Sequence, residues 1–493
     1  VQTGHRFTVI GLLGGPLLAV ILYTMLPDVY TLSDGSTAIL TTAGKATAAI
    51  GIWMALWWMT EAIPIYATAL LPLLLFPLTG AASAKAAAAP YGHHLIYLFL
   101  GGFIIAQAME RWDLHRRIAL KTLQHVGTAP TAIIGGFMGI TAALSMWVSN
   151  TATAMMMLPI ALSVSHWMRQ NQSDAQAGKF EPALLLGVAY AASIGGMGTL
   201  IGTPPNLFLA SFLKSQGVEI SFIRWMAVGL PVVFIMLPLS WLLLTRILFK
   251  CGRHPLASGR ILCQDAYKSL GPFSKGERNT LIVFILTALL WITRPLLNRM
   301  TLGAMQPLSG LTDSGIAILG ALLLFLLPVD RQTGLQTMDW ERARKLPWGV
   351  LLLFGGGLSL AAALQANGVS AFLGTRVSSM ADAPVILIIL LVTALMIFLT
   401  ELTSNTASTV TFVPLLYAAA AGLGLHPLAL IVPAALAASC AFMLPVATPP
   451  NAIVFGSGKI EMAQMIRAGL WLNLIGIIII TLLGYGIVVR LLG

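Results

Sequence analysis

The sequence predicts an all-α polytopic membrane protein, with about eleven transmembrane helices and two re-entrant hairpins arranged as an inverted repeat. Three observations predict it. Of the 493 residues, 57% are hydrophobic and only 9% are charged, whereas a soluble domain carries about 25% charged residues. Apolar runs of about 20 residues, each long enough to cross roughly 30 Å of hydrocarbon, recur from end to end. Two short words of sequence occur twice, in the same order, once in each half. No polar stretch is long enough to hold a soluble domain.

Spanning segments fall near residues 7–26, 46–60, 63–80, 93–110, 182–213, 225–248, 279–297, 314–328, 348–366, 428–456 and 466–489. The first run, Phe7 to Leu26, is long for a signal-peptide core and no small-residue cleavage motif follows it. It is therefore read as a retained helix. The stretches 129–166 and 384–422 are too long for one crossing and are interrupted by polar residues. Read as hairpins that return to their own side, they leave the count at eleven.

With the N-terminus in the cytoplasm, twenty of the 28 Lys and Arg residues fall inside and eight outside. The positive-inside rule thus expects an inner-membrane (plasma-membrane) chain with its N-terminus cytoplasmic and its C-terminus outside. The net charge of +11 reflects this loop asymmetry and gives no reason to expect a nucleic-acid partner. Cys251, Cys263 and Cys440 form neither ligand spacing nor an even-numbered disulfide framework.

The repeated words are Ser149-Asn150-Thr151 with Ser404-Asn405-Thr406, and Thr203-Pro204-Pro205-Asn206 with Thr448-Pro449-Pro450-Asn451. Leu100-Gly101-Gly102 and Phe354-Gly355-Gly356-Gly357 are a weaker third pair, because glycine-rich membrane helices are common. The first hairpin opens inward and the second outward, so the halves are inverted repeats, and transporters built this way place their site at the repeat interface near the midplane.

These residues suit a site of mixed charge. Pro204-Pro205 and Pro449-Pro450 interrupt apolar segments and remove backbone donors. Gly195, Gly196, Gly198 and Gly202 are expected to loosen the first break. Non-helical backbone at membrane depth survives where it lines a cavity. Freed carbonyls can hold a small cation, and the following half-helix N-termini attract anions. Ser, Thr and Asn side chains can donate to carboxylate oxygens. A lone Ser or Thr in a membrane helix usually back-bonds to its own turn, and a lone Pro is usually a kink. The doubled constellation is what favours a site.

Residues 122–168, 180–213 and 377–458, which hold every motif, contain no Lys or Arg. An anion bound there needs co-bound cations for charge balance. Glu401, three positions before the second SNT word, is expected either to tune a cation site or to pair with a backbone donor. Glu61 is expected to cap a helix. Glu110 to Arg117 reads as an amphipathic interfacial segment with Trp112 in the headgroup belt.

The motifs Ser145-Met-Trp-Val-Ser149-Asn150-Thr151-Ala-Thr153, Glu401-Leu-Thr-Ser404-Asn405-Thr406, the two TPPN words and Trp112-Asp-Leu-His115-Arg-Arg117 resemble the divalent anion/sodium symporter family, the di- and tricarboxylate carriers. The resemblance runs through nearly the whole chain. It implies secondary active transport of C4-dicarboxylates of the succinate, malate and fumarate type, coupled to sodium symport by an elevator mechanism in a homodimer embedded in membrane lipid. It further implies a scaffold at 1–122 and 279–376, a transport domain at 123–250 and 377–493, and a cytoplasmic linker at 251–278. Carried over by position, one sodium site uses Ser145, Ser149, Asn150 and Gly198, with Gly195 or Gly196 as alternatives to Gly198. A second uses Thr400, Thr403, Asn405 and Ala447. Substrate carboxylates are held by Ser149, Asn150, Thr151, Ser404, Asn405, Thr406, Thr448 and Pro449, with Thr203 as a further candidate.

The main rival on the same fold is a sodium-independent dicarboxylate exchanger, favoured by a basic side chain at the motif tips, where none occurs. A membrane enzyme needs a nucleophile–base pair or helically spaced metal ligands, and His93-His94 offers neither. The chain is therefore expected not to be an enzyme.

Overall fold

The computed structural model describes residues 2–31, 36–171, 174–252, 267–301, 305–377 and 383–488. Half of the expected linker (253–266), with Cys263, and residues 489–493, with Arg490, lie outside them.

After α1 (Gln2–Met25), the first half runs through α2 (Thr42–Thr60), α3 (Ile65–Thr68), α4 (Leu71–Thr79), α5 (Ala84–Ala88), α6 (His94–Arg111) and α7 (Leu114–Leu123). It continues with α8 (Pro130–Ser145), α9 (Asn150–Asn171), α10 (Asp174–Gly196), α11 (Pro204–Ser215) and α12 (Phe222–Leu242). The second half follows the same plan with α13 (Lys275–Leu297), α14 (Asp313–Leu326), α15 (Trp340–Ala343), α16 (Trp348–Ala366) and α17 (Val369–Val377). It closes with α18 (Val385–Thr400), α19 (Asn405–Gly422), α20 (Leu428–Ala438), α21 (Pro449–Gly456) and α22 (Met462–Leu483). Two small antiparallel hairpins sit in loops, Val29–Thr31 with Thr37–Ile39 and Pro328–Asp330 with Leu335–Gln336.

The core is built on the two broken helices. Phe180 to Leu200 and Leu428 to Phe442 are buried without interruption. Alanines in both, and glycines in the first, let neighbouring backbones come close, which is how membrane helices pack when lipid is as apolar as they are. At the periphery, Ile282, Ile285, Leu289, Ile292 and Leu296 of α13 are exposed. Their spacing of three and four residues makes one apolar stripe, suited to face lipid.

Helix α8 packs on α10 and α18 on α20, whereas α9 packs on α21 and α11 on α19. Each hairpin thus packs on its own broken helix with both arms, and its second arm also reaches the other half's. This exchange brings both sets of motifs to one place.

Two expectations are refined. The segment 63–80 is two short helices, α3 and α4, rather than one continuous helix. Pro72 at the start of α4 has no N–H for the preceding turn, and the Ala69 carbonyl at the break accepts from the Tyr91 hydroxyl. The Glu110–Arg117 segment also clasps other elements of the fold. Asp113, at φ 52°, turns the chain between α6 and α7. The Trp112 indole then donates to the Thr337 carbonyl at 2.8 Å, and Arg111 pairs with Asp339 at 2.7 Å. Arg117 is buried, ion-paired with Glu277 at 2.5 Å and donating to the Leu270 and Gly271 carbonyls.

Candidate functional site

Each SNT word is a hairpin tip. Ser149 precedes α9 and its Oγ accepts from the Ala152 N–H at 3.2 Å. Ser404 precedes α19 and accepts from the Ala407 N–H at 3.4 Å. Both serines cap helices, as short hydroxyls at helix starts do. A capping hydroxyl still has its own proton to donate, so the cap role leaves it able to bind a carboxylate.

Behind the first tip, the Ser145 hydroxyl donates to Asn150 Oδ1 at 2.5 Å. Two oxygens there already converge. Behind the second, Thr403 Oγ1 lies 2.7 Å from Ser408 Oγ, and the Thr400 hydroxyl donates to the Ile397 carbonyl at 3.0 Å. Asn405 Oδ1 is buried with no hydrogen-bond partner among the described residues. An orphaned amide oxygen fits a hard cation, which takes oxygen ligands.

Each TPPN word starts the second segment of a broken helix. The paired prolines occupy the first turns of α11 and α21, where no N–H is needed. The break itself lies just upstream, in 197–203 and 439–448. Thr203 (φ −146°, ψ 142°) and Thr448 (φ −141°, ψ 148°) adopt nearly the same extended conformation.

The asparagine that ends each word braces the break. The Asn206 amide donates to the carbonyls of Gly196, Met197 and Thr199 at 3.1, 3.3 and 2.8 Å. The Asn451 amide donates to those of Ala441 and Leu444, both at 3.1 Å. Glu401 completes the second break. Its carboxylate accepts from the N–H groups of Phe442 (2.7 Å), Met443 (2.9 Å) and Leu444 (3.0 Å), and from the Asn473 amide at 2.7 Å. Of its two expected roles, pairing with backbone donors is the one seen.

The first-half glycines tighten packing rather than loosen the chain. A Cβ on Gly195 would lie 2.2 Å from the Ala142 carbonyl oxygen, and one on Gly196 would lie 2.6 Å from Asn150 Oδ1. Gly196 therefore abuts the first tip. Gly198 lies instead beneath the Met146 side chain, 3.2 Å from a built Cβ.

Both tips and both breaks line one cavity of about 750 Å³. Ser149, Asn150, Thr151, Thr203, Thr403, Ser404, Asn405, Thr406, Ala447, Thr448 and Pro449 all line it. Ser145, Gly198 and Thr400 do not. Ser145 and Thr400 are fully buried. The opposite wall comes from Tyr66, Phe103, Gln107, Val350 and Leu353, with Glu61 and Glu110. Glu61 caps α2 through its backbone, in the left-handed conformation with its N–H on the Trp57 carbonyl.

Among the described residues lining the cavity there is no Lys, Arg or His. Four helices, α9, α11, α19 and α21, begin at this wall. Each N-terminus carries about half a positive charge. The arrangement can orient an anion by partial charges while leaving room for cations at the carbonyl and amide oxygens behind it.

The two asparagine braces were missed in the sequence, and for Glu401 a backbone partner was expected without its identity. Asn206 and Asn451 had a signal, since both sit in the repeated word. Glu401 had a weaker one, a lone acid in an apolar run.

The profile of the family described as the sodium:sulfate symporter transmembrane region matches residues 19–492. The chain is 44% identical over 492 residues to a sodium-dependent dicarboxylate transporter, SdcS, of Staphylococcus saprophyticus, covering 98% of this chain and 92% of the relative. It is 43% identical over 490 residues to SdcS of Staphylococcus aureus, with the same coverages. Among solved structures, it is similar to the Alcanivorax borkumensis YdaH transporter (TM-score 0.55, 13% identity, 98% and 99% of the two chains). It is also similar to Neisseria gonorrhoeae MtrF (TM-score 0.58, 12% identity, 99% and 94%). The chain belongs to the sodium:sulfate symporter family of membrane transporters.

Proposed function

We propose that this family member carries C4-dicarboxylates of the succinate, malate or fumarate type into the cell together with sodium ions. The observation that carries the reading is the cavity shared by both SNT tips and both TPPN breaks, which has no basic side chain among its described lining residues. A dianion held there without cations is badly uncompensated. Its relatives are named sodium-dependent dicarboxylate transporters, which supports the same pairing.

In this reading, Ser149, Asn150, Thr151, Ser404, Asn405, Thr406, Thr448 and Pro449, with Thr203, form the substrate wall. One sodium sits behind the first tip, among Ser145, Ser149, Asn150 and a carbonyl of the glycine segment carrying Gly196 and Gly198. Another sits behind the second tip, among Thr400, Thr403, Asn405 and Ala447. At least two sodium ions accompany each substrate.

The movement proposed is an elevator. Residues 123–250 and 377–493 move as a transport domain against a scaffold of 1–122 and 279–376, in a homodimer whose lipid face includes the α13 stripe. Two clefts support it. One, of about 510 Å³, is lined by Glu110, His115 and Pro159, and the other, of about 260 Å³, by Gln365, Ser370 and Pro414. These residues pair across the repeat, each 255 positions apart. With the N-terminus inside, the larger cleft is cytoplasmic, and transport exchanges the two sizes.

Uptake of labelled succinate into liposomes containing the purified protein tests this, with an inward gradient of sodium, potassium or neither. Symport predicts uptake with sodium alone. Uptake without sodium, but only into vesicles preloaded with dicarboxylate, would establish the exchanger instead.

A further inference from the structure

We infer that an apolar cavity behind the first hairpin holds one acyl chain of an anionic phospholipid from the cytoplasmic leaflet. The inference rests on the membrane orientation proposed above, and on neither the substrate nor its ion.

The cavity measures about 470 Å³ and shares no lining residue with the one that carries the motifs. Gly136, Gly139 and Ala143 of α8 line one wall, and Ile118 and Thr122 of α7 with Phe284 of α13 line another. No charged side chain lines it among the described residues. The Thr122 hydroxyl already donates to the Ile118 carbonyl at 2.9 Å. A buried water needs two to four polar partners, so this lining suits hydrocarbon instead.

Depth points to the same occupant. With the N-terminus inside, α8 starts at the cytoplasmic face. From Gly136 to Leu144 the wall rises roughly 12 Å along the helix, most of the half-thickness of a hydrocarbon core roughly 30 Å across. Gly139 and Ala143 are exposed on it, and a Cβ built on Gly139 meets nothing within 4 Å. The wall is therefore a hollow beside α8 and not a filled contact. Trp147 also lines it, T-shaped on Phe284 with ring centroids 5.1 Å apart. Trp147 belongs to the first motif, two positions before Ser149, and has no part in the proposed substrate wall.

Charge selects the headgroup. Lys121 on α7 and Arg278 on α13 are exposed near the cytoplasmic ends of the lining helices, and α7 carries no acid. Neither has an ion-pair partner among the described residues. Glu277, beside Arg278, is taken by Arg117, and Glu110 and Asp113 line the separate cytoplasmic cleft. Arg246 adds a third cation, 5.8 Å from the centre of the Trp241 ring, whose indole donates to the Thr131 carbonyl at the base of α8. Basic side chains at this level attract anionic headgroups. The chain below them lies between α8 of the proposed moving domain and the proposed scaffold. A lipid bound in such a gap favours the arrangement that forms it.

The test uses the purified full-length protein in phosphatidylcholine liposomes doped with a phospholipid that carries a photoreactive acyl chain. The probe is phosphatidylglycerol in one arm and phosphatidylcholine in the other, with label located by peptide mass spectrometry. Phosphatidylglycerol should label α8 between Gly136 and Trp147 about fivefold more than phosphatidylcholine does. Gly139→Phe fills the hollow and should cut that label about tenfold, while label on the α13 face at Ile282 and Leu289 stays unchanged. Lys121→Gln combined with Arg278→Gln should remove the preference for phosphatidylglycerol.

Equal labelling of α8 by the two lipids, or undiminished labelling of Gly139→Phe, would overturn the inference. So would a cross-link between two copies through Gly139→Cys, which would put protein in the cavity. Should Gly139→Phe not fold, Ala143→Leu fills the same hollow and carries the same expectation. Labelling needs neither sodium nor succinate, so its outcome is separate from that of the uptake experiment.

Discussion

The first broken helix and the second share a backbone and differ in their fastenings. Both carry an extended threonine, two prolines at the start of the next helix and an asparagine amide turned back onto freed carbonyls. In the first, the hairpin lies against bare backbone, with Gly195 and Gly196 where the second has Cys440 and Ala441. In the second, a carboxylate takes three N–H groups that have no such partner in the first. The repeat therefore preserves the shape of the site and lets its electrostatics diverge. One half is fastened by close backbone packing, and the other by a buried carboxylate.

Substitutions can break or sharpen this comparison. The largest effect should be the same on both sides. Asn150→Ala and Asn405→Ala each remove an amide that contacts substrate and cation in the proposed site, and each should lower sodium-driven uptake about 100-fold or more, measured in liposomes.

The next should be one-sided. Gly196→Ala drives a methyl toward Asn150 Oδ1, which a built Cβ meets at 2.6 Å. It should reduce uptake roughly tenfold and raise the sodium requirement. Ala441→Gly, at the mate position, should stay within about twofold of wild type in the same assay.

Bracing should differ in degree. Asn206 serves three carbonyls and Asn451 two. Replacing either by Leu leaves buried acceptors unpaired at about 1–3 kcal/mol each. Thermal unfolding in detergent should show both variants destabilised, Asn206→Leu more so.

The smallest effect concerns the third repeated word. Gly101 and its mate Gly356 press on Ala317 and Ala69, within the expected scaffold. Gly102 and its mate Gly357 face Ile201 and Val410, across the proposed boundary with the moving domain. A built Cβ on Gly357 meets Val410 at 2.3 Å, whereas one on Gly102 meets Ile201 at 3.3 Å. Gly357→Ala should slow uptake a few-fold with little change in succinate KM, and Gly102→Ala should be nearly silent.

The sites of chain breakage were legible because they are local. Polar words inside apolar runs, and prolines where a donor must be missing, locate the starts of α9, α11, α19 and α21 without reference to the rest of the chain. The third word was also visible, but glycine pairs alone do not say what they touch, and only Ala317, Ile201, Ala69 and Val410 give them meaning. What was not legible depends on distant partners. Glu401 bonds to residues more than forty positions on, Trp112 docks on Thr337, and the 63–80 break is satisfied by Tyr91. Nothing in the local pattern distinguishes an interfacial tryptophan from one that donates to a carbonyl of another loop.

The claim beneath all of this is that a dianion binds a site without basic side chains because cations bind with it. Calorimetry on the purified protein tests it most directly, by titrating succinate in sodium, in potassium, and over a range of sodium concentrations. The account predicts that succinate affinity rises steeply with sodium and is lost in potassium. It also predicts that succinate raises sodium affinity by the same factor, as linkage requires. Equal succinate affinity in sodium and potassium would contradict it.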